Sequence, residues 1–309
     1  MPASARRPFR FRAVTAGLAL ALAGTLFAQA EQPEQPRNHG FFWKAESETA
    51  TVYLLGSVHV GRPDFYPLRP AIEKAFAASS ALAVEVDMRP SRQLAAMGEI
   101  MKAAMLPPGE NLRDSLSDDL RALLDAYTEK AGPGMGMALD RMTPWWAALS
   151  IAMLEMQKAG LNPLWGIDLH FLTRAEKKDM QVIELEGAQQ QIAIFASMEP
   201  ALQRLMLKQT LQDIGKAREQ IEVMMNAWET GDEKALVEFL GQGFEANKEF
   251  EPLRKKLFTE RDIAMTRRIR EFLAGDRAVF VVVGAGHMVG EEGIVARLKK
   301  DKNLTVTRQ

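Results

Sequence analysis

Apolar and polar positions follow two different periods along this chain. Three runs, at 51–55, 81–86 and 278–283, are almost continuously apolar and contain many β-branched residues, which predicts buried strands. Shorter strands are predicted at 164–167, 182–185 and 304–307. Between the strands, apolar residues recur at the spacing of one helix face. The predicted helices cover 67–79, 94–105, 116–131, 144–160, 170–178 and 290–300, with a long helical stretch over 187–274 that breaks near Pro200, Gly231, Gly241 and Pro252.

The order of these elements predicts an α/β fold. Strands cluster at both ends and in the middle of the chain, with large helical insertions between them. We therefore expect one domain over 41–309, with a central mixed sheet assembled from distant segments and flanked by helices. The strand, helix and strand over 51–86 predict a parallel pair with a right-handed crossover. The alternative is a sheet domain with a separate helical domain over 90–160.

The first thirty residues have the pattern of an export signal. Four arginines and no acidic residue precede an apolar run over 13–27, and Ala28-Gln29-Ala30 matches a cleavage site. The run is short for a membrane span, so an uncleaved anchor is the lesser alternative. Arg6-Arg7 also resembles a twin-arginine signal, which leaves the Sec and Tat routes open. We expect an exported, periplasmic or secreted protein that meets a membrane only during export, with a flexible lead-in at 31–40.

Composition narrows the possible chemistry. The chain is 47% hydrophobic and 26% charged, as folded proteins are, and its net charge of −1 shows no excess of basic residues that would predict nucleic-acid binding. Cleavage after Ala30 removes four of 39 basic residues and no acid, leaving 35 against 40 and a net charge of −5. The absence of cysteine excludes disulfides, thiolate metal sites and a cysteine nucleophile. A transition metal would need His, Asp and Glu ligands.

Two of the four histidines occupy matching positions. Each follows an apolar strand in a G-x-x-H turn, Gly56 to His59 and Gly284 to His287. Glycine lets the backbone approach a ligand closely, and ligand sites of open α/β sheets lie at the carboxyl ends of strands. The pattern therefore predicts that both imidazoles meet at one sheet edge. His39 lies in the lead-in, and His170, near an acid at a helix start, is interpreted as structural or supporting.

Acidic residues also follow predicted strands. Glu85 and Asp87 face the same side after the second strand, Asp168 ends a short strand, and Glu186 follows another. Carboxylates would complete a metal site that begins with two imidazoles. Each acid alone is equally well explained as a surface charge or a helix cap, and Asp168 is a good cap candidate.

Several of these segments together resemble one protein family. The two G-x-x-H turns, V-E-V-D at 84–87, G-I-D-L-H-F at 166–171, L-E-G-A-Q-Q-Q at 185–191 and V-G-A-G-H-M-V-G-E-E-G-I at 283–294 resemble the TraB/PrgY/GumN family. The resemblance covers about 42–306, and the exported, soluble form is most similar to the GumN-like bacterial branch. The family includes the animal Tiki metalloproteases, the branch for which peptide hydrolysis is known.

The resemblance implies a fold and a site. The fold would be similar to that of the erythromycin-esterase and ChaN group. His59, His287 and Glu85 would form a metal-dependent centre, with further family acids at Asp168 and Glu186. A Glu-Arg-Asn segment of the family corresponds to 260–262, which reads Glu-Arg-Asp here. Because Asp262 replaces the asparagine, Arg261 is the safer site residue of the two.

These residues suggest a hydrolytic mechanism. A divalent cation (Mn, Co or Zn) held by His59, His287 and either Glu85 or Asp87 would activate water for amide or ester hydrolysis. Either of two acids could serve as general base, and Arg261 could stabilise developing negative charge. The candidate general bases are Asp168 and Glu186. The sequence contains neither a G-x-S-x-G elbow nor an H-E-x-x-H motif.

Two other classes of function remain open. The same histidines would serve a non-catalytic periplasmic module that binds or scavenges metal, haem or a peptide signal. The chain could also be an interaction protein in conjugation, signalling or polysaccharide export. The expected partner is a peptide or small-molecule substrate, with no nucleic acid, and the sequence does not indicate the oligomeric state.

Overall fold

A computed structural model describes residues 40–132, 134–245 and 247–309. The predicted signal peptide and nearly all of the lead-in lie outside the described residues. The architecture is a mixed α/β fold, as the sequence predicts: a six-stranded mixed sheet flanked by helices. The strand order is β4-β3-β5-β2-β1-β6. The strands are β1 (Phe42–Glu46), β2 (Thr51–Ser57), β3 (Ala81–Val84), β4 (Gln181–Glu184), β5 (Ala278–Gly284) and β6 (Thr305–Arg308).

Four neighbouring strands of this sheet are parallel. β5 lies between β3 and β2 and pairs in parallel with both, and β4 pairs in parallel with β3. Strand β5 has the sequence AVFVVVG and is almost wholly buried, as expected for a central parallel strand covered on both faces. Since these strands run the same way, their carboxyl ends meet at one edge of the sheet.

The sheet corrects two predictions about its strands. β2 and β3 are parallel, as predicted, but they are not neighbours, because β5, almost two hundred residues later in the chain, is inserted between them. Strand β1 was not predicted, because its sequence FWKAE is short and includes charged residues. It forms through antiparallel pairing with β2 on one side and β6 on the other, a tertiary contact that the local pattern does not contain.

None of the helices within the described ranges is long and apolar enough to span a bilayer.

Most predicted helices occur near their expected positions. The helices are α1 (Pro70–Ala78), α2 (Pro90–Ala104), α3 (Asp118–Ala131), α4 (Met135–Asp140), α5 (Pro144–Lys158), α6 (Ile167–Lys177), α7 (Ala188–Ala196), α8 (Pro200–Asp213), α9 (Ala217–Thr230), α10 (Glu233–Glu245), α11 (Glu251–Arg254), α12 (Glu260–Leu273), α13 (Ala285–Met288) and α14 (Ile294–Lys299).

Two apolar clusters are joined through helix α5. One surrounds the sheet, and the other is formed among the helical insertions. The first half of α5, including Trp145 and Ile151, belongs to the helical cluster, whereas Ala152 and Met156 belong to the sheet cluster. Helix α5 thus fixes the insertions against the sheet that carries the candidate site.

Two local predictions are wrong. The segment predicted as a strand at 164–167 is a 3₁₀ turn over Pro163–Trp165 followed by α6, since Asn162 accepts the Leu164 N–H and starts a helical turn at Pro163. Asp168 therefore lies in the first turn of a helix rather than at a strand end, and Gly166 occupies the cap position. The predicted break at Gly241 is also absent, because α10 continues through it to Glu245.

Candidate functional site

The two G-x-x-H turns lie side by side. In the parallel ladder of β2 and β5, Ser57 is paired with Gly284, so the two turns leave the sheet together. His59 follows β2 in a loop, and His287 lies in the short helix α13 directly after β5. Residues 228 positions apart are thereby brought to one sheet edge, as the sequence predicts.

Both imidazoles line one cavity of about 100 Å³. Its polar end also includes Ser57, Glu85 and Arg261. Its other walls are apolar side chains of α7, α9, α10 and the segment Lys255–Thr259 before α12. A smaller neighbouring cavity of about 20 Å³ shares His59 and Glu85 and adds Asp168. The site is therefore an apolar cavity whose floor carries the charged groups from the strand ends.

Each imidazole is held by a buried carboxylate. The Nδ1 atom of His59 lies 2.8 Å from Asp168 Oδ2, and that of His287 lies 2.6 Å from Asp262 Oδ1. The two aspartates are only 2% and 3% exposed. An ionised carboxylate can only accept, so each Nδ1–H donates, and the Nε2 atom of each ring is not used by its aspartate.

The environment shifts the pKa of His59 in one pair and of Asp262 in the other. Burial disfavours the charged form of His59, but the Asp168 carboxylate outweighs burial and raises the pKa of His59 to about 9. Burial raises the pKa of Asp262, while His287 beside it acts in the opposite direction. The two pairs are alike in geometry but differ in their electrostatics.

Ser57 does not form a catalytic triad. Its hydroxyl donates to Asp168 Oδ1 over 2.9 Å, on the same carboxylate that holds His59. A nucleophilic serine would instead donate to the imidazole, which would in turn contact the acid. Ser57 and His59 together fix both oxygens of Asp168, so the serine acts as an anchor of that side chain.

A single arginine joins two buried glutamates. The guanidinium of Arg261 lies 2.5 Å from Glu85 Oε2 through Nη2, and Nη2 and Nε lie 2.7 and 2.9 Å from the carboxylate of Glu186. Gln191 Nε2 donates to both glutamates, over 3.2 and 3.0 Å. All three charged side chains are at most 13% exposed. Glu85, Glu186, Arg261 and Gln191 are referred to below as the carboxylate cluster.

Glu85 is held in its ionised form. Burial alone would raise its pKa, but Arg261, followed by His287 and His59, holds the pKa of Glu85 well below its usual range. The backbone N–H of Gly284 donates to Glu85 Oε1 over 2.6 Å. Gly284, predicted from the motif to approach a ligand, thus approaches a carboxylate of the chain itself.

The remaining predicted site residues lie farther from the cavities. Asp87 accepts hydrogen bonds of 2.5 to 3.1 Å from Arg89. It is not among the residues that line the two cavities. The Gly56 carbonyl accepts a hydrogen bond of 2.9 Å from Trp228 Nε1, so this glycine anchors an indole rather than facing the cavity.

Two site residues were undervalued or missed at the level of sequence. Asp262 was given less weight than Arg261, yet it is the partner of His287. Gln191 stood within the L-E-G-A-Q-Q-Q motif without a role, yet it bridges Glu85 and Glu186. The duplicated histidines could have indicated Asp262. If one imidazole is oriented by an acid, Asp168, the matching imidazole is expected to have an acid of its own.

The sequence predicts a metal site at His59, His287 and either Glu85 or Asp87. Among the residues that the structure describes, no group of three or more His, Asp or Glu side chains is arranged to hold a metal ion. The physical reason is that the guanidinium of Arg261 and the Gly284 N–H already occupy the oxygens of Glu85. The two imidazoles, in contrast, retain their Nε2 atoms.

His170 stands outside this site. Its ring lies 4.5 Å from the ring of Tyr66, and Nε2 lies 3.1 Å from Arg174 Nη1. Burial, reinforced by the charges of Arg174 and Lys177, lowers the pKa of His170 to about 3. This agrees with the structural role suggested by its position at the start of a helix.

The lowered pKa of His170 predicts a pH dependence of stability. An unfolded histidine titrates near 6.5, so below that pH the unfolded chain binds a proton that the folded chain excludes. Above pH 6.5 the histidine is neutral in both states, so the full stability is present. As the pH falls from 6.5 towards 3, the proton that folded His170 excludes lowers the free energy of unfolding by up to about 1.4 kcal/mol per pH unit. Urea unfolding at pH 7.5, 6 and 5 should show a smaller loss for His170→Gln than for the wild type. Parallel curves for the two proteins would contradict this assignment.

The chain is similar in sequence to proteins from a bacterium and from vertebrates. The chain is 28% identical over 248 residues to YbaP of Escherichia coli, an uncharacterised protein, covering 80% of this chain and 87% of YbaP. It is 22% identical over 320 residues to human metalloprotease TIKI1, covering 87% of this chain and 62% of TIKI1, and 20% identical over 309 residues to zebrafish (Danio rerio) TIKI1. No solved structure matches, so the likeness to the ChaN group stays a prediction.

The family match covers nearly all of the described chain. The model of the TraB/PrgY/gumN family matches residues 41–308, from the start of β1 to the end of β6. That span contains both G-x-x-H turns, the carboxylate cluster and the two aspartates that hold the imidazoles. The chain belongs to the TraB/PrgY/gumN family.

Proposed function

We propose that this protein is a metal-dependent hydrolase of amide bonds, acting on peptide-like substrates. One observation carries the proposal: two imidazoles from separate strand ends, each held through Nδ1 by a buried aspartate, line one cavity with an ionised glutamate. The similarity to metalloprotease TIKI1 points to the same class of reaction. At 22% identity, and with 62% of TIKI1 covered, this similarity supports the reaction class and not the substrate.

The imidazole pair offers two nitrogens to a divalent cation, which would displace the proton that His59 carries at neutral pH. Histidines that bind metals characteristically donate the other ring N–H to a carboxylate, which fixes the ring and makes the free nitrogen a better ligand. Both His59 and His287 have this arrangement. Glu85 lies near enough to both rings for each to lower its pKa, and it adds negative charge, although its oxygens are engaged by Arg261 and Gly284. We therefore assign the imidazoles as ligands and Glu85 as a supporting charge.

The chain's own groups have distinct tasks in such a reaction. A divalent cation, when bound, supplies an activated water and polarises a carbonyl group. Asp168 and Asp262 keep the rings oriented. The low pKa of Glu85 makes it a poor proton acceptor, because an efficient general base has a pKa near the working pH.

The two predicted general bases have different surroundings. Asp168 lines the smaller cavity beside His59, whereas Glu186 is not among the lining residues of the two cavities and is held by Arg261 and Gln191. Both oxygens of Asp168 are engaged by Ser57 and His59, so we assign Asp168 to orienting His59 and neither acid to proton transfer. Arg261 is better explained as a residue that positions the carboxylates than as one that stabilises an oxyanion, since its bonds already engage both glutamates.

The test combines metal binding with turnover. Residues 31–309 are purified, stripped with a chelator and titrated calorimetrically with Mn²⁺, Co²⁺ and Zn²⁺, and hydrolysis of a mixed peptide library is followed by mass spectrometry. We expect binding of at least one cation, hydrolysis that depends on it, and loss of both in His59→Ala and His287→Ala. Unchanged metal affinity in both variants would refute the assigned ligands.

The same measurements separate the alternative function. Cation binding without any peptide turnover would support the non-catalytic binding module instead. Turnover that survives complete chelation would refute metal dependence while leaving a hydrolase. Each result therefore assigns the site to a different class.

A further inference from the structure

The larger cavity has an apolar wall that none of the proposed chemical steps uses. It is formed by helices α9 and α10 and by the π-helical segment Lys255–Thr259 before α12. Its six side chains, called here the apolar wall, are Met224, Trp228, Leu236, Leu240, Phe244 and Phe258. None of these six side chains carries a charge. The polar atom of Trp228 is already satisfied, because its Nε1–H donates to the Gly56 carbonyl. The wall therefore offers only apolar contact.

The apolar wall lies directly beside a proposed ligand. The ring of Phe258 is 5.4 Å from that of His287 between centroids. The side chains of Leu240 and Phe258 pack closely on the backbone of Gly286. A Cβ atom added to this glycine would lie only 3.1 and 3.3 Å from them. A substrate with its scissile carbonyl at the imidazoles would thus place the neighbouring side chain on this wall.

The size of the cavity limits what that side chain can be. Its volume is about 100 Å³. An apolar cavity of ~150 Å³ holds benzene, so this one is suited to a branched or linear aliphatic side chain and too small for an indole. A charged side chain would lose its hydration there without gaining a partner on the wall.

We propose that the apolar wall is the specificity pocket of this enzyme and that it selects peptides with leucine, isoleucine or methionine next to the bond that is cleaved. This inference rests on the proposed hydrolase function and names its substrate class. His59, His287 and the charged groups beside them would act on the amide bond. The apolar wall would bind the side chain of the neighbouring residue and so determine which peptides are cleaved.

The first test measures selectivity with matched peptides. Blocked peptides that differ only at the residue beside the cleaved bond carry Leu, Ala, Glu or Trp. We expect kcat/KM for Leu to exceed that for Ala by at least about 10-fold, since even one methylene in an apolar pocket changes kcat/KM by about 10- to 200-fold. Equal values for all four peptides would overturn the proposal.

Variants on one helix locate the pocket. Leu240→Phe fills the cavity and should lower the Leu-to-Ala ratio about 10-fold or more. Val237→Phe is the matched control, because Val237 lies on the same helix, is 40% exposed and is not part of the apolar wall. Phe244→Leu enlarges the cavity and should improve the Trp peptide, which keeps the test informative if Leu240→Phe does not fold. An equal change in Val237→Phe would refute this location.

A binding assay keeps this proposal separate from the proposed function. Calorimetry of the wild type with N-acetylleucinamide, N-acetylalaninamide and decanoate requires no turnover. If no peptide is cleaved, the hydrolase proposal fails, yet tighter binding of the leucine ligand that Leu240→Phe abolishes would still support the pocket. Binding of decanoate without the leucine ligand would overturn it in favour of an acyl-chain site.

Discussion

Replacing Arg261 by methionine is expected to lower the free energy of unfolding by about 3–5 kcal/mol at neutral pH. The variant leaves the carboxyl groups of Glu85 and Glu186, at most 8% exposed, without their shared cation. Breaking a buried pair on one side costs more than the pair contributes, because a charge remains out of water without compensation. Urea unfolding followed by circular dichroism measures the change.

Two controls test the cause of this loss. Arg268→Met lies on the same helix but breaks a half-exposed pair with Glu271, so its effect should stay below about 1 kcal/mol. Adding Glu85→Gln and Glu186→Gln to the Arg261 variant should recover much of the stability, because no buried charge is then left. A loss in Arg261→Met no larger than that in Arg268→Met would mean that the carboxylate cluster does not act as described.

Replacing either His59 or His287 by alanine is expected to reduce kcat/KM for peptide hydrolysis by at least about 10²-fold, because each removes a proposed ligand of the catalytic cation. Each substitution removes an oriented Nε2 and leaves a buried aspartate without its partner. The two losses should not add in the double variant, because groups that act as one unit are strongly non-additive. Steady-state kinetics with the leucine peptide provides the measurement.

His170→Gln is the matched control for these variants. Its ring packs on Tyr66 and is not among the lining residues of either cavity, so kcat/KM should change by less than about 3-fold, in keeping with a substitution remote from the chemistry. Circular dichroism must show that each alanine variant is folded. A folded His59→Ala or His287→Ala that keeps more than a tenth of the activity would remove that histidine from the mechanism.

Local patterns predicted the elements whose own residues decide them. β5 is continuously apolar and was predicted within a residue or two, and α5 begins at the predicted proline. β1 was missed because its five residues become a strand only between β2 and β6. The strand expected at 164–167 failed for the opposite reason, since the side chain of Asn162 turns that apolar segment into a helical turn.

In the candidate site, too, some features follow from the local sequence and others only from tertiary contacts. The duplicated G-x-x-H turns and the acids after β3 and β4 could be read from the sequence, because strand ends converge in a parallel sheet. The partners of each carboxylate could not be read in this way. Glu85 and Asp87 are two residues apart with the same charge, yet one joins Arg261 in the cavity floor and the other pairs with Arg89.

The sequence by itself determined that this chain folds as an α/β protein of its family and that two histidines meet at one sheet edge. Periodicity and strand-end glycines carry that information locally. Only the tertiary structure decided which acid orients each imidazole, that one arginine occupies the carboxylate expected to bind a metal, and that apolar helices enclose the floor. Those features depend on contacts between residues tens to hundreds of positions apart, where burial and charge pairing, rather than local spacing, select the partner.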